Sequence, residues 1–444
     1  MKKYQSYKPS GIEWIGDIPI HWERRKLKWD IFYQEGPGLR TFQFTEDGIR
    51  VICVSNITEK GIDFDTTHTR HISESEYLSK YKHFTVQNND ILLSSSGSIG
   101  KVCRYFFDGA PVILNTSTIR IHSKNPSRYS SDFVRYVLLS NYIQIQLKFL
   151  MTGGIVSNFG PSHLDQLLNY IPALKEQEQI VNYLDEKTSI IDKLISTKER
   201  KIELLKEQRT SLINEVITKG LNPNVKMKDS GVEWIGEIPE SWSFVRLGVL
   251  GSFSKGKGIT KDKIKENGFP CIRNGEIYTT YNLRFSEPKS FIDETTISES
   301  IKVKKGTLFF TGDGETLEEI GKCVVYLGEE EIYVGGGINI FTPHTDKVSP
   351  IYLSYVMSST SCVYQKSIVG KGEIVVHIYS KQLRDIQFGL PIIQEQQEIV
   401  EYLDKHTKEI DDLVSMEQNK IELLKEYRQS LISEVITGKI KVIE

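Results

Sequence analysis

One stretch of this chain occurs twice, and any fold must accommodate both copies. From Pro172 the residues read PALKEQEQIVNYLDEKTSIIDKLISTKERKIELLKEQRTSLINEVIT, and from Pro391 PIIQEQQEIVEYLDKHTKEIDDLVSMEQNKIELLKEYRQSLISEVIT, at a constant offset of 219 residues. Apolar residues recur in alternating steps of three and four, the period of a long helix with a seam. The first seam is Val181, Leu184, Thr188, Ile191, Ile195, Lys198, Ile202, Leu205, Arg209, Leu212 and Val216. The second is Val400, Leu403, Thr407, Ile410, Val414, Glu417, Ile421, Leu424, Arg428, Leu431 and Val435. Such a stripe needs a partner, and the other copy supplies one. Parallel pairing in register would set Arg209 against Arg428. Antiparallel pairing places Arg209 near Thr407 and Arg428 near Thr188, and sets Lys198 opposite Glu417 at the centre. An antiparallel intramolecular coiled coil is therefore expected, its opposite charges penalising other registers. Two separate amphipathic helices, each packed on its own domain, are the alternative.

A second repeat precedes each half: KPSGIEWIGDIPIHW from Lys8 to Trp22 and KDSGVEWIGEIPESW from Lys228 to Trp242. Ser-Gly and Ile-Pro punctuate it, so it reads as a short extended anchor. Its tryptophans, Trp14 and Trp22 in one copy and Trp234 and Trp242 in the other, are expected to plug apolar pockets. The order is thus anchor (1–22), block (23–170), helix (171–220), connector and anchor (221–242), block (243–389), helix and tail (390–444). The block interiors share little sequence. Both contain short β-type runs, such as Ile49–Val54, Asp90–Leu93, Val112–Leu114, Thr307–Phe310 and Cys323–Tyr326. Near the end of each block, Phe133–Ser140 and Tyr352–Ser359 read as one apolar helix of about four turns before a glycine-rich loop. The fold class is α+β: two similar domains separated by two long antiparallel helices, pseudo-twofold. The N-terminal anchor is left to pack against the end of the second helix, which brings the termini together.

The chain has 444 residues and a formal net charge of −2, so an overall basic character does not announce nucleic acid. No run approaches the roughly 20 apolar residues of a membrane span, and the N-terminus has no apolar stretch of a secretion signal. Five scattered cysteines fit reduced thiols and a cytoplasmic location.

The anchor, the block and the P-x-x-x-EQ-x-x-I helix, each given twice, resemble the specificity subunit of type I restriction–modification enzymes over nearly the whole chain. The resemblance implies that residues 23–170 and 243–389 are target-recognition domains, each reading one half of a bipartite DNA sequence. It implies that helices 175–218 and 394–437 are the spacer and dock methyltransferase subunits, and that a restriction/translocase subunit joins them. About 43 helical residues would make a rod of roughly 65 Å. S-adenosylmethionine is then expected on the methyltransferase partner, and ATP and Mg on the restriction subunit. Because the block interiors differ, an asymmetric target is expected. A stand-alone DNA adenine methyltransferase or nuclease, and a coiled-coil adaptor without DNA binding, are the competing functions.

Catalytic motifs are incomplete. Phe310-Thr311-Gly312-Asp313-Gly314 matches the F-x-G-x-G of adenine methyltransferases, but no N/D/S-P-P-aromatic loop accompanies it. Gly97–Lys101 (GSIGK) is shorter than a phosphate loop and is followed by Val102 instead of Ser/Thr. His68 and His71 have no nearby Cys pair. No catalytic residue and no metal site is expected. DNA contact is supported locally. The blocks carry net charges of only +3 and +1, but Lys255, Lys257, Lys261, Lys263 and Lys265 share a glycine-containing loop suited to tracking phosphates. Ser96, Ser98 and Lys101 lie in a small-residue loop after a strand, and Thr311–Gly314 with Lys322 in a corresponding one. Arg273, Asn274, Asn158 and Lys371 are candidate base readers by side-chain type.

Overall fold

In the computed structural model the described residues are 3–442, except 59–60, 66–67, 98, 152–157, 315, 318 and 371–375. The chain forms two compact units, one of Met1–Glu199 with Asn419–Glu444 and one of Arg200–Gln418. The repeated stretches are helices, Leu174–Lys219 and Ile393–Ile436. They end at Gly220 (φ +75°) and Gly438 (φ +71°), whose left-handed backbone closes a helix at little steric cost. Each unit contains part of both helices, and the pairing is antiparallel. In the second unit Lys201 pairs with Glu417 at 3.0 Å and Arg209 with Asp411 at 3.0 Å, so partner numbers fall as residue numbers rise. In the first unit Arg428 Nε donates to Asp192 Oδ1 at 2.9 Å. Each arginine thus reaches an aspartate one turn past the threonine expected beside it. Buried Glu417 meets Lys201, one turn beyond Lys198.

The seam residues are mostly buried: Val181, Leu184, Ile191, Ile202, Leu205, Leu403, Ile410, Ile421, Leu431 and Val435. Two seam threonines serve their own unit instead of the opposite helix. Thr188 lies 3.3 Å from Tyr136 Oη, and Thr407 lies 3.3 Å from Tyr355 Oη. The Glu-Gln pair opening each helix has the same task. Trp22 Nε1 donates to Glu176 and Trp242 Nε1 to Glu395, both at 3.0 Å. Gln177 and Gln396, fully buried, accept from the backbone N–H of Ser130 and Ser349 at 2.9 and 2.8 Å.

Each unit has two larger sheets beside several two-stranded pairs. In the first unit one sheet runs, in spatial order, Val102–Arg104, Ile91–Ser94, Thr118–Ser123, Ile31–Glu35; the other runs Val112–Leu114, Ile49–Ile52, Arg70–Ile72, Phe44–Thr45. The second unit repeats both orders and adds one edge strand to each, Arg284–Phe285 and Ile301–Val303. Strands 31–35, 49–52, 112–114 and 118–123 recur at 251–255, 269–272, 332–334 and 338–343, all displaced by 220 residues. The interiors that share little sequence therefore share a strand framework. The inner strands of the first of these sheets, such as Ile91–Ser94, Leu308–Thr311 and Cys323–Tyr326, are buried on both faces, which explains their unbroken apolar runs. Along Leu308–Thr311, Leu308 and Phe310 pack towards the helices while Phe309 packs towards the second sheet. Ile91 and Leu93 alternate with Leu92 in the same way.

Two expectations need correction. The single four-turn helix is two helices in each unit, Ser131–Leu139 then Asn141–Leu150, and Pro350–Ser358 then Thr360–Val369. Ser140 and Ser359 make the break: each is extended (ψ 145° and 151°), and each hydroxyl donates back to a valine carbonyl, Val137 O at 2.5 Å and Val356 O at 2.6 Å. Of the anchor tryptophans, Trp22 and Trp242 are fully buried as expected, but Trp14 and Trp234 are 48% and 44% exposed. Trp14 lies against Phe149 and Trp234 against Tyr364, with ring centroids 5.4 and 5.6 Å apart. The anchors are small antiparallel pairs, Tyr7–Pro9 with Asp17–Pro19 and Met227–Asp229 with Glu237–Pro239. The first packs on the end of the second helix, where Pro19 and Trp22 line Gly438 and Tyr7 Oη donates to its carbonyl at 3.4 Å. All five cysteines are free thiols. No helix among the described residues is long and apolar enough to cross a membrane.

Candidate nucleic-acid interface

The loops singled out in sequence converge within each unit. In the second unit, Lys255 ends its strand and Gly256 follows flat against the Gly335 carbonyl, where any side chain would overlap. Gly256 N donates to Ile338 O at 2.9 Å and Lys257 N to Val334 O at 3.1 Å. Gly312 N donates to Gly337 O at 2.7 Å, and Ile378 N to Gly312 O at 2.9 Å. The lysine loop, the Gly335–Gly337 turn, the Thr311–Gly314 loop and the segment from Val376 thus form one cluster at the strand ends. A Cβ on Gly312 would lie 2.5 Å from Gly337 O, and one on Gly314 3.0 Å from Tyr278 Oη. Both glycines of the F-x-G-x-G match are accounted for by close packing, Gly312 against the Gly337 carbonyl and Gly314 against the Tyr278 hydroxyl.

The five lysines divide. Lys263 pairs with Glu299 at 2.6 Å and Lys265 with Asp293 at 3.6 Å. Lys255, Lys257 and Lys261 are exposed and make no ion pair with the described residues; Lys255 Nζ stands 6.0 Å over the Tyr379 ring. Arg273 and Asn274 are already engaged within the unit. Arg273 Nη2 donates to buried Glu276 at 3.2 Å, and Asn274 Nδ2 donates to Asp313. Arg273 Nε and Asn274 Oδ1 are buried and have no hydrogen-bond partner among the described residues. Lys322, placed with the Thr311–Gly314 loop in sequence, is turned inward: its Nζ donates to Tyr278 O and Tyr281 O at 3.1 and 3.0 Å, and burial pulls its pKa down. Lys371 lies outside the described residues.

The first unit builds the same cluster from other residues. Gly36 N donates to Thr118 O at 3.0 Å, Ser95 N to Ser117 O at 2.9 Å and Phe159 N to Ser95 O at 3.0 Å. Ser117 takes the left-handed conformation (φ +67°) that Gly337 (φ +80°) takes in the second unit. Two candidates placed far apart in sequence meet here, since Ser96 and Asn158 form a β-bridge. Ser98 lies outside the described residues. Lys101 closes the hairpin, its N–H donating to Ser94 Oγ at 2.9 Å. Its side chain lines a cleft of about 600 Å³ with Arg104, Arg135, Gln144 and Arg428. Arg40 and Phe42, both exposed in the loop that follows Gly36, escaped sequence inspection. Aligning the blocks at an offset of 220 would have placed them beside the lysine loop.

A pair of α+β units with equivalent loop clusters, each closed by parts of two long helices, defines a duplicated recognition module. The model of the type I restriction modification DNA specificity domain matches the chain twice, at residues 19–204 and 239–423. The chain is 25% identical to a putative type I restriction enzyme specificity subunit (MjaX) of Methanocaldococcus jannaschii over 445 residues, 96% of each chain. It is also 25% identical to the MjaVIII specificity subunit of the same organism over 370 residues, 81% of each. In fold it is similar to a chain from a solved structure on complex assembly and conformational transition of the type I restriction–modification system. There the TM-score is 0.69 at 16% identity, covering 95% of this chain and 99% of that one. The chain belongs to the type I restriction–modification DNA specificity family. It is a specificity subunit, the non-catalytic component that recognises the DNA target.

Proposed function

We propose that each loop cluster reads one half of a bipartite, asymmetric double-stranded DNA target. The paired helices then set the unread gap and dock methyltransferase subunits, and a restriction/translocase subunit completes the complex. S-adenosylmethionine belongs to the methyltransferase partner, and ATP and Mg to the restriction subunit. The observation that carries this is the recurrence of one backbone cluster with different side chains: Gly36 and Gly256, Ser117 and Gly337, Ser95 and Gly312 make equivalent contacts. Equal scaffolds with unequal surfaces suit two different half-sites, because base edges are distinguished by side chains and not by backbone. Ser96, Ser98, Lys101 and Asn158 in the first unit, and Lys255, Lys257, Lys261, Arg273, Asn274 and Lys371 in the second, are the candidate contacts. Among them Lys255, Lys257 and Lys261 suit phosphates, while Arg273 and Asn274 would have to exchange Glu276 and Asp313 for a base. Mapping methylated adenines genome-wide in cells that express this chain with a cognate methyltransferase tests the proposal. A new two-part asymmetric motif is expected. Methylation at an unchanged set of sites would refute it.

A further inference from the structure

The loop after the first sheet strand follows a similar course in both units, differing in detail at Gly38 and Gly258 (φ +83° only in the latter), and carries different chemistry. Leu39 and Ile259 are buried at matching points, tight turns follow at Thr41–Gln43 and Lys261–Lys263, and short strands follow at Phe44–Thr45 and Ile264–Lys265. Where the second unit has lysines at 255, 257, 261, 263 and 265, the first has Glu35, Pro37, Thr41, Gln43 and Thr45. A loop that gives up all five cations cannot hold DNA by the same means. It carries instead Phe42, 85% exposed, beside Arg40, which is exposed and makes no ion pair with the described residues.

The phenyl is held out by a stiff turn. Gln43 Oε1 accepts from Arg40 N at 2.9 Å, while Gln43 Nε2 donates to Tyr81 Oη at 2.9 Å and to Glu76 at 3.3 Å. The neighbouring Phe44 is half-buried under the Arg70 guanidinium at 4.7 Å, so the unit covers one aromatic of this loop and leaves the other in water. We infer that Phe42 is a wedge that the first unit inserts between base pairs beside its half-site, with Arg40 on the adjoining phosphate. Apolar side chains inserted in this way partly unstack one base step and kink the duplex, a cost repaid by the further protein surface the bent DNA then meets. The two halves of the target are then gripped differently, one by charge and one by stacking. This rests on the DNA-reading assignment of the loop clusters.

The test uses the full chain assembled with its methyltransferase subunits on target duplexes carrying 2-aminopurine at successive positions in and beside each half-site. Fluorescence should rise at one step next to one half-site, persist with Phe42→Trp and vanish with Phe42→Ala. Phe42→Ala should weaken binding about tenfold or more with an unchanged salt slope, whereas Lys257→Ala with Lys261→Ala should reduce that slope. Parent and Phe42→Ala complexes that bind the target within twofold of one another, with no unstacked position, would overturn the wedge and leave DNA reading intact. A tenfold loss without an unstacking signal would overturn the wedge in favour of a surface contact. A parent complex that does not distinguish target from scrambled duplex would overturn both.

Discussion

Glu176 and Glu395 occupy the same station, one in each unit, and are completed differently. Glu176 accepts from Trp22 Nε1 at 3.0 Å and Tyr4 Oη at 2.7 Å, and stands 2.9 Å from His21 Nε2. Glu395 accepts from Trp242 Nε1 at 3.0 Å and from nothing else among the described residues. The carboxylates Asp185 and Asp404 repeat the pattern with the partners exchanged. Asp185 takes Tyr136 and, from the same helix, Arg135, both at 2.6 Å. Asp404 takes Tyr355 at 2.7 Å and a two-pronged Arg284 at 2.8 and 2.9 Å, from the edge strand that the first unit lacks. Each helix carboxylate keeps one equivalent donor in both units, Trp22 or Trp242 and Tyr136 or Tyr355, and only the additional partners differ. Drift is tolerated at those additional partners, while the shared tryptophan and tyrosine hold the frame.

That contrast can be broken in order of expected effect. Glu176→Ala strands two buried donors, Tyr4 and Trp22, and should cost the first unit about 2–5 kcal/mol. In the intact chain burial, then Glu176 itself, pushes the Tyr4 phenol well above its ordinary pKa. Glu395→Ala strands one donor and should cost the second unit about 1–3 kcal/mol. Hydrogen exchange resolved by unit measures both, and equal losses would dissolve the distinction. Asp404→Asn and Asp185→Asn remove partly exposed ion pairs and should each cost about 1 kcal/mol or less, with Asp404 the larger because its arginine binds through two nitrogens. A denaturant series on the two variants decides the order.

The last contrast is read from pH and belongs to a residue with no counterpart in the first unit. Lys366 is buried, its Nζ donating to Gly321 O at 2.9 Å and Met357 O at 3.0 Å, where the first unit has Leu147. Burial lowers its pKa, while nearby Cys323 and Cys362 raise it. With the folded pKa below the unfolded one, the unfolded chain holds more protons between the two values. Stability of the second unit should therefore rise with pH across that interval. Lys366→Met should flatten the rise, and an unchanged pH profile would remove Lys366 from this account.

The helical frame was legible because it is periodic, long and given twice; the antiparallel direction followed from Arg209 and Arg428 alone. The strands were legible as apolar runs, but not their equivalence: the matching G-x-G at Gly36 and Gly256 is too short to stand out, and left-handed geometry falls on a serine, Ser117, in one unit and a glycine, Gly337, in the other. Ser140 and Ser359 hid the helix break, since serine is tolerated within helices as well as at their ends. Trp14 and Trp234 misled because a repeated tryptophan reads as core, whereas each leans on a neighbouring aromatic with one face in water. Among the candidate DNA contacts, side-chain type pointed to Arg273 and Asn274 without revealing that Glu276 and Asp313 already hold them.

Because the first unit is closed by Asn419–Glu444, its construction is suspended during synthesis. The ribosome makes its sheets first, then the entire second unit, before releasing the segment carrying Leu431, Ile432, Val435 and Ile436 that completes the first core. Until then the nascent N-terminal part exposes apolar surface of the kind chaperones hold and proteases cut. A premature stop near residue 418 would leave the later-made unit whole and the earlier-made one open, the reverse of what a linear order of domains implies.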